Sequence, residues 1–223
     1  QPRPYPPPSS PSCGGDVSLG SAVGYIASER RRSHSATGRR AEDGQAPPPA
    51  QTWTIPICTT NCTLLTNTPQ PVPPHKLLSR KGTGYFVVDY PPAERDYFRA
   101  HLKDFGAADL ISYNGNEWLL TRTMHLPAGE YLRLVSAMPR PASAQQLVTA
   151  VTDNLNYLDQ RLVNDTNRAA WENFVRKVLH GYAPVTWQTP ANETSDQRIE
   201  RASILFTLGT IGNDTAVING ARE

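Results

Sequence analysis

No stretch of this chain approaches the roughly 20 consecutive apolar residues that a membrane-crossing helix needs, so no transmembrane segment is expected. Cysteine is scarce and odd in number, with Cys13, Cys58 and Cys62, which excludes a scaffold built on disulfides. The opening residues are proline-rich rather than apolar and do not read as a signal peptide, and a start at Gln1 suggests a processed chain or a fragment. No Ser or Cys sits in a nucleophile-elbow setting. Gly82-Thr83-Gly84 precedes a predicted strand, whereas a dinucleotide fingerprint follows one. Cys58-x3-Cys62 with His75 is the one metal-like spacing. It lacks the second ligand pair of a zinc site, so free thiols or a local disulfide is the simpler reading. The expectation is a non-enzymatic chain with no cofactor and no metal.

What the sequence has in excess is proline, and it is unevenly placed. Of 21 prolines, 16 fall within residues 1–92. Proline fixes φ and removes a backbone donor, so such a stretch resists forming helices or inner strands. Charge divides nearby. Residues 1–83 carry nine Lys/Arg against four Asp/Glu, and residues 84–223 carry thirteen against sixteen. Residues 1–83 therefore read as an extended Pro/Arg-rich arm and linker, and 84–223 as the folded domain. Within the arm, residues 52–66 (TWTIPICTTNCTLLT) have strand character, with Pro56 restricting them to an edge.

In the domain, Tyr85–Tyr90 reads as a strand by its aromatic and β-branched content. Pro91 and Pro92 open a helix over 93–105 that carries Tyr97, Phe98, Leu102 and Phe105 at helical spacing. Leu110–Tyr113, then Asn114-Gly115, then Asn116–Thr123 predicts a β-hairpin with a type I′ turn, and Tyr131–Ser136 a further strand. Beyond Pro139 the pattern turns helical. Ser143 with Gln146 suggests a capping box ahead of the stripe Leu147, Val151, Leu155, Leu158 and Leu162. A second helix places Trp171, Phe174, Val175 and Val178 inward, and a third, capped near Ser195, places Ile199, Ala202, Leu205, Phe206 and Leu208 inward. Thr215–Ile218 could supply an edge strand. The fold class expected is α+β: a small antiparallel sheet with a hairpin plus about four helices, sheet-rich over 84–138 and helix-rich over 139–223, preceded by the irregular arm.

These features suit a structural subunit of a large assembly, most plainly a viral capsid or shell protein or a processed piece of one, whose arm lies on copies of itself or on other subunits. The alternatives are a secreted glycoprotein or interaction module and an accessory subunit of an organellar ribonucleoprotein. The corresponding location is a virion or large intracellular assembly, or else the extracellular space. Arg30, Arg31, Arg32, Arg39 and Arg40 are the candidate contacts to RNA or DNA, since guanidinium groups pair bidentately with phosphate. Trp53, Trp118, Trp171 and Trp187 are candidate interface anchors. Asn61, Asn164, Asn192 and Asn213 begin Asn-x-Thr sequons, which matter if the chain is secreted. Asp89 and Glu117 would form a carboxylate pair if their predicted strands met.

Overall fold

The computed structural model describes residues 25–26, 55–58, 62–65, 70–71, 73–82, 84, 86–140, 145–182 and 186–223. Among these the chain is predominantly helical, with α1 Pro92–Ala100, α2 Ala107–Arg122, α3 Ala128–Ala137, α4 Gln145–Leu162, α5 Arg168–His180, α6 Ser195–Thr210 and α7 Thr215–Gly220. Strands are confined to two short antiparallel ladders ahead of residue 72. β1 (Tyr25–Ile26) pairs with β4 (Gln70–Pro71), and β2 (Ile55–Cys58) with β3 (Cys62–Leu65). No helix among the described residues is long and apolar enough to cross a membrane.

The expected α+β class is thereby corrected. The predicted sheet over 84–138 does not form, and the predicted hairpin is the continuous helix α2, which runs straight through Asn114-Gly115. The inner face of α2 joins Leu110, Tyr113 and Leu120 to buried Asp109, Asn114, Asn116 and Glu117. Spacings of 3, 4 and 3 through 110, 113, 117 and 120 are helical, but polar residues interrupt the apolar stripe. Gly115 faces open space, so nothing there demands the positive φ of a turn. The predicted strand at Tyr131–Ser136 is α3, with Tyr131, Leu134 and Val135 buried at i, i+3 and i+4. Thr215–Ile218 is the start of α7, because the Asp214 carboxylate accepts the Ala216 and Val217 N–H groups and caps a helix there.

The predicted strand Tyr85–Tyr90 has no ladder over its described residues, 86–90. Instead, the Asn116 side chain takes the place of a neighbouring strand: Oδ1 accepts the Val88 N–H at 2.7 Å and Nδ2 donates to the Val88 carbonyl at 2.8 Å. Both backbone groups are satisfied by one buried amide. Tyr90 at the end of this segment meets Phe98 and Tyr113 edge-on, at centroid distances of 5.0 and 6.0 Å. The turn at Arg80–Gly82 docks on α2 as well, where Lys81, at φ 54°, gives its N–H to Asp109 at 2.6 Å.

The later helices follow the sequence pattern more closely. Leu147, Val151, Leu155 and Leu158 of α4 are buried, while Leu162 is exposed. Trp171, Val175 and Val178 of α5 are buried. On α6, Leu205 and Leu208 face inward as expected, but Ile199 and Phe206 point to solvent and Ile204 and Thr207 take their places. The α6 cap is Thr194, in a capping box with Gln197. The expected box at Ser143 lies outside the described residues.

Helices α2, α4 and α6 pack side by side in sequence, with α3 against α2 and both α5 and α7 against α6. Alternate helices thus form one layer and the intervening ones flank it, as in stacks of helical pairs. α2 and α4 run in the same direction. Tyr131 of α3 donates to Asn114 on α2 and accepts from Asn154 on α4, and one turn further along Trp118 on α2 meets Tyr157 on α4. A single apolar cluster extends from Ile57 in β2 through Leu77 and Leu78 to Val217 in α7.

Candidate functional site

Two constellations stand out. The first lies where the 86–90 segment, α1 and α2 meet. The Arg95 guanidinium donates to Glu117 (Nε–Oε2, 2.8 Å) and to Asp89 (Nη2–Oδ1, 2.8 Å), and Asn116 donates to the other Glu117 oxygen at 3.1 Å. Asp89 and Glu117 do come together, but an arginine sits between them. Burial pushes the Glu117 carboxyl above its ordinary range despite the opposing pull of Arg95. Burial alone would lower the Arg95 guanidinium, yet its two carboxylate partners hold it higher. A carboxylate fixed by a guanidinium and an amide has a positioning job: it pins the extended segment to α2. The geometry is a structural lock.

The second constellation opens to solvent on the α2–α4 face. Trp118 rests on Tyr131 (5.1 Å) and meets Tyr157 edge-on (5.5 Å), which carries a row of rings from the core to the surface. Over the Tyr157 ring lie the guanidinium carbons of Arg122 at 5.3 Å and Arg161 at 5.4 Å, both within cation–π range. Neither arginine has a carboxylate partner among the described residues. Each occupies the last turn of its helix, where a cation complements the helix dipole. Leu119 is exposed beside them. An apolar shelf with two forked donors and no anion supplied by the described residues is chemically suited to hold a carboxylate whose attached chain is partly apolar.

Sequence reasoning missed this patch, although a signal was present. Trp118-x3-Arg122 and Tyr157-x3-Arg161 repeat an aromatic–arginine pair at i, i+4 on two helices, the spacing that brings side chains together on one helix face.

The residues singled out from sequence are placed as follows. Arg30, Arg31, Arg32, Arg39, Arg40, Trp53 and Asn61 lie outside the described residues. Trp118 is half-buried in the ring row, and Trp171 is buried, stacked on Phe174 at 5.9 Å. Trp187 is half-exposed and donates to the Val217 carbonyl at 3.1 Å. Asn164, Asn192 and Asn213 are exposed in the turns that precede α5, α6 and α7. Cys62 is disulfide-bonded, with Cys58 opposite it in the β2–β3 register. His75 lies against α1 instead, its ring stacked on Tyr97 at 3.8 Å, while His101 stacks with the same tyrosine at 4.1 Å. Among the described residues no group of three His, Cys, Asp or Glu could hold a metal ion.

Compared with known families, residues 78–223 match the ERAP1-like C-terminal domain. No curated protein matches the chain. The family match overturns the expectation of a viral capsid or shell subunit. That expectation drew mainly on the composition of residues 1–83, nearly all of which lies before the matched region, whereas the matched region is a stack of helices.

Proposed function

We propose that this chain, which belongs to the ERAP1-like C-terminal domain family, is the non-catalytic helical part of an aminopeptidase-related protein and presents its α2–α4 face to a peptide. The observation that carries this reading is the Arg122–Tyr157–Arg161 cluster. Two guanidinium groups without an acidic partner among the described residues, seated on an exposed ring, fit a peptide carboxylate together with the side chain next to it. Its role is to hold and orient substrate while bond cleavage takes place elsewhere in the protein. A stack of helical pairs is a fitting support, since neighbouring helices fix the site to rigid elements and offer a broad surface.

The test is binding of fluorescent oligopeptides that end in either a free carboxylate or an amide. The free-carboxylate peptide should bind more tightly. Arg122→Ala and Arg161→Ala should each weaken it about tenfold, the effect of losing one charge-assisted hydrogen bond of roughly 1.5 kcal/mol. Equal binding of acid and amide would refute the peptide-facing role. In a parallel assay the chain by itself should release no amino acid from an aminoacyl chromogenic substrate, and turnover there would refute the non-catalytic assignment.

A further inference from the structure

Three Asn-acid-Thr triplets occupy the turns between the last four helices: Asn164-Asp165-Thr166, Asn192-Glu193-Thr194 and Asn213-Asp214-Thr215. We infer that Asn164, Asn192 and Asn213 accept N-linked glycans, which commits the chain to an oxidising secretory compartment.

Geometry favours modification at all three. In two turns the middle acid is drawn inward and the asparagine is left outside. Glu193 is clamped by Arg201, whose Nε and Nη2 donate to its two carboxylate oxygens at 2.7 and 3.0 Å. Asp214 is buried, bonded to His180 at 2.7 Å and to the first turn of α7. Asn192 and Asn213 stand on left-handed backbone, at φ 64° and 47°, and face solvent. Among the described residues Asn213 makes one weak side-chain contact, a 3.3 Å hydrogen bond to partly buried Glu172. In the first turn, the Asn164 Oδ1 accepts the Thr166 N–H at 3.0 Å, an Asx turn that sets the amide and the hydroxyl side by side.

A competing cause deserves weight, because turns ahead of helices favour Asn, Asp and Thr for folding alone. It accounts for Thr194, whose hydroxyl accepts the Gln197 N–H and caps α6. It does not account for the other two. The hydroxyls of Thr166 and Thr215 have no partner among the described residues, and α7 is already capped by Asp214. A threonine two residues after an exposed asparagine, idle in the fold at two of three places, is explained by the glycosylation requirement. The disulfide at Cys62 is an independent indication, because such bonds persist mainly in oxidising compartments.

The chemistry requires a lipid-linked oligosaccharide diphosphate as donor. The asparagine amide nitrogen forms a bond to the anomeric carbon, the bond from that carbon to the phosphate oxygen breaks, the lipid diphosphate leaves, and the amide gives up one proton. Glycans at these turns would also keep the ends of α4 to α7 clear of protein contacts and leave the helix faces for docking.

The experiment is peptide mapping of the full chain isolated from the cells that naturally make it, after amidase release of N-glycans in heavy-oxygen water. Heavy aspartate at two or three of positions 164, 192 and 213 supports the inference. Unmodified asparagine at two or more of them overturns it. Thr166→Val and Thr215→Val should abolish the glycan on Asn164 and Asn213 with the melting temperature of the deglycosylated protein unchanged. A loss of stability without a loss of glycan would show that these hydroxyls serve folding, and would overturn the inference as well. Thr194→Ser keeps both cap and acceptor, so its glycan should persist.

Discussion

Arg95, Glu117 and Asn116 show how much a few buried polar side chains can organise. The Arg95 and Glu117 side chains are only 10% and 3% exposed, so removing one partner strands the other in a poorly solvated site. Arg95→Met should therefore cost about 3–5 kcal/mol, read as a fall in urea midpoint. The double variant Arg95→Met with Glu117→Leu should recover most of that loss, because an apolar pair replaces a charged one. Asp214 gives a pH signature of definite sign. Burial alone would raise its carboxyl, but the His180 hydrogen bond and two backbone N–H groups hold it below the ordinary value of 3.8. Its contribution is thus fully present above pH 3.8 and is lost as pH falls through the lower folded-state value. Asp214→Asn keeps an N-cap and lacks the charge, so its stability deficit relative to the native chain should shrink as urea titrations move below pH 3.8. A deficit independent of pH would contradict this account.

Helix α2 marks the boundary between what could be read from residue pattern and what could not. Its apolar positions are helical in period, yet Asn114, Asn116 and Glu117 share the buried face, and Asn-Gly is a strong hairpin dipeptide. The partners that make those polar residues welcome inside are far away in sequence: Val88, Arg95 and Tyr131. No local window contains them. Helices α4 and α5 were legible because most of their core-facing residues are plainly apolar, and α6 was legible as a helix but not in its facing, since Ile199 and Phe206 turn outward. The ring-and-arginine patch was visible as a repeated spacing, but its value depends on α2 and α4 being neighbours, which sequence does not supply. Gly115→Ala tests the helix directly. A Cβ there meets nothing within 4 Å, so the substitution should stabilise by about 0.5–1 kcal/mol with an unchanged denaturant slope. A type I′ turn at the same place would instead be destabilised.

At the scale of the molecule, the continuous apolar cluster predicts a single cooperative unit. Leu155, fully buried on α4, is a suitable probe. Leu155→Ala should cost about 2–5 kcal/mol and should shift far-ultraviolet ellipticity and near-ultraviolet tryptophan signals together. Two separated transitions would show that the ends of the stack fold independently. The common direction of α2 and α4 has an electrostatic result as well. Their final carbonyls open on the same rim, so two partial negative charges sit next to each other, and Arg122 and Arg161 are the counterions of that rim. A visiting anion therefore meets cations whose long-range attraction is partly cancelled before it arrives. Recognition there must come at short range, from the fit of a small flat oxyanion between two planar forks, and a diffuse polyanion gains little by comparison.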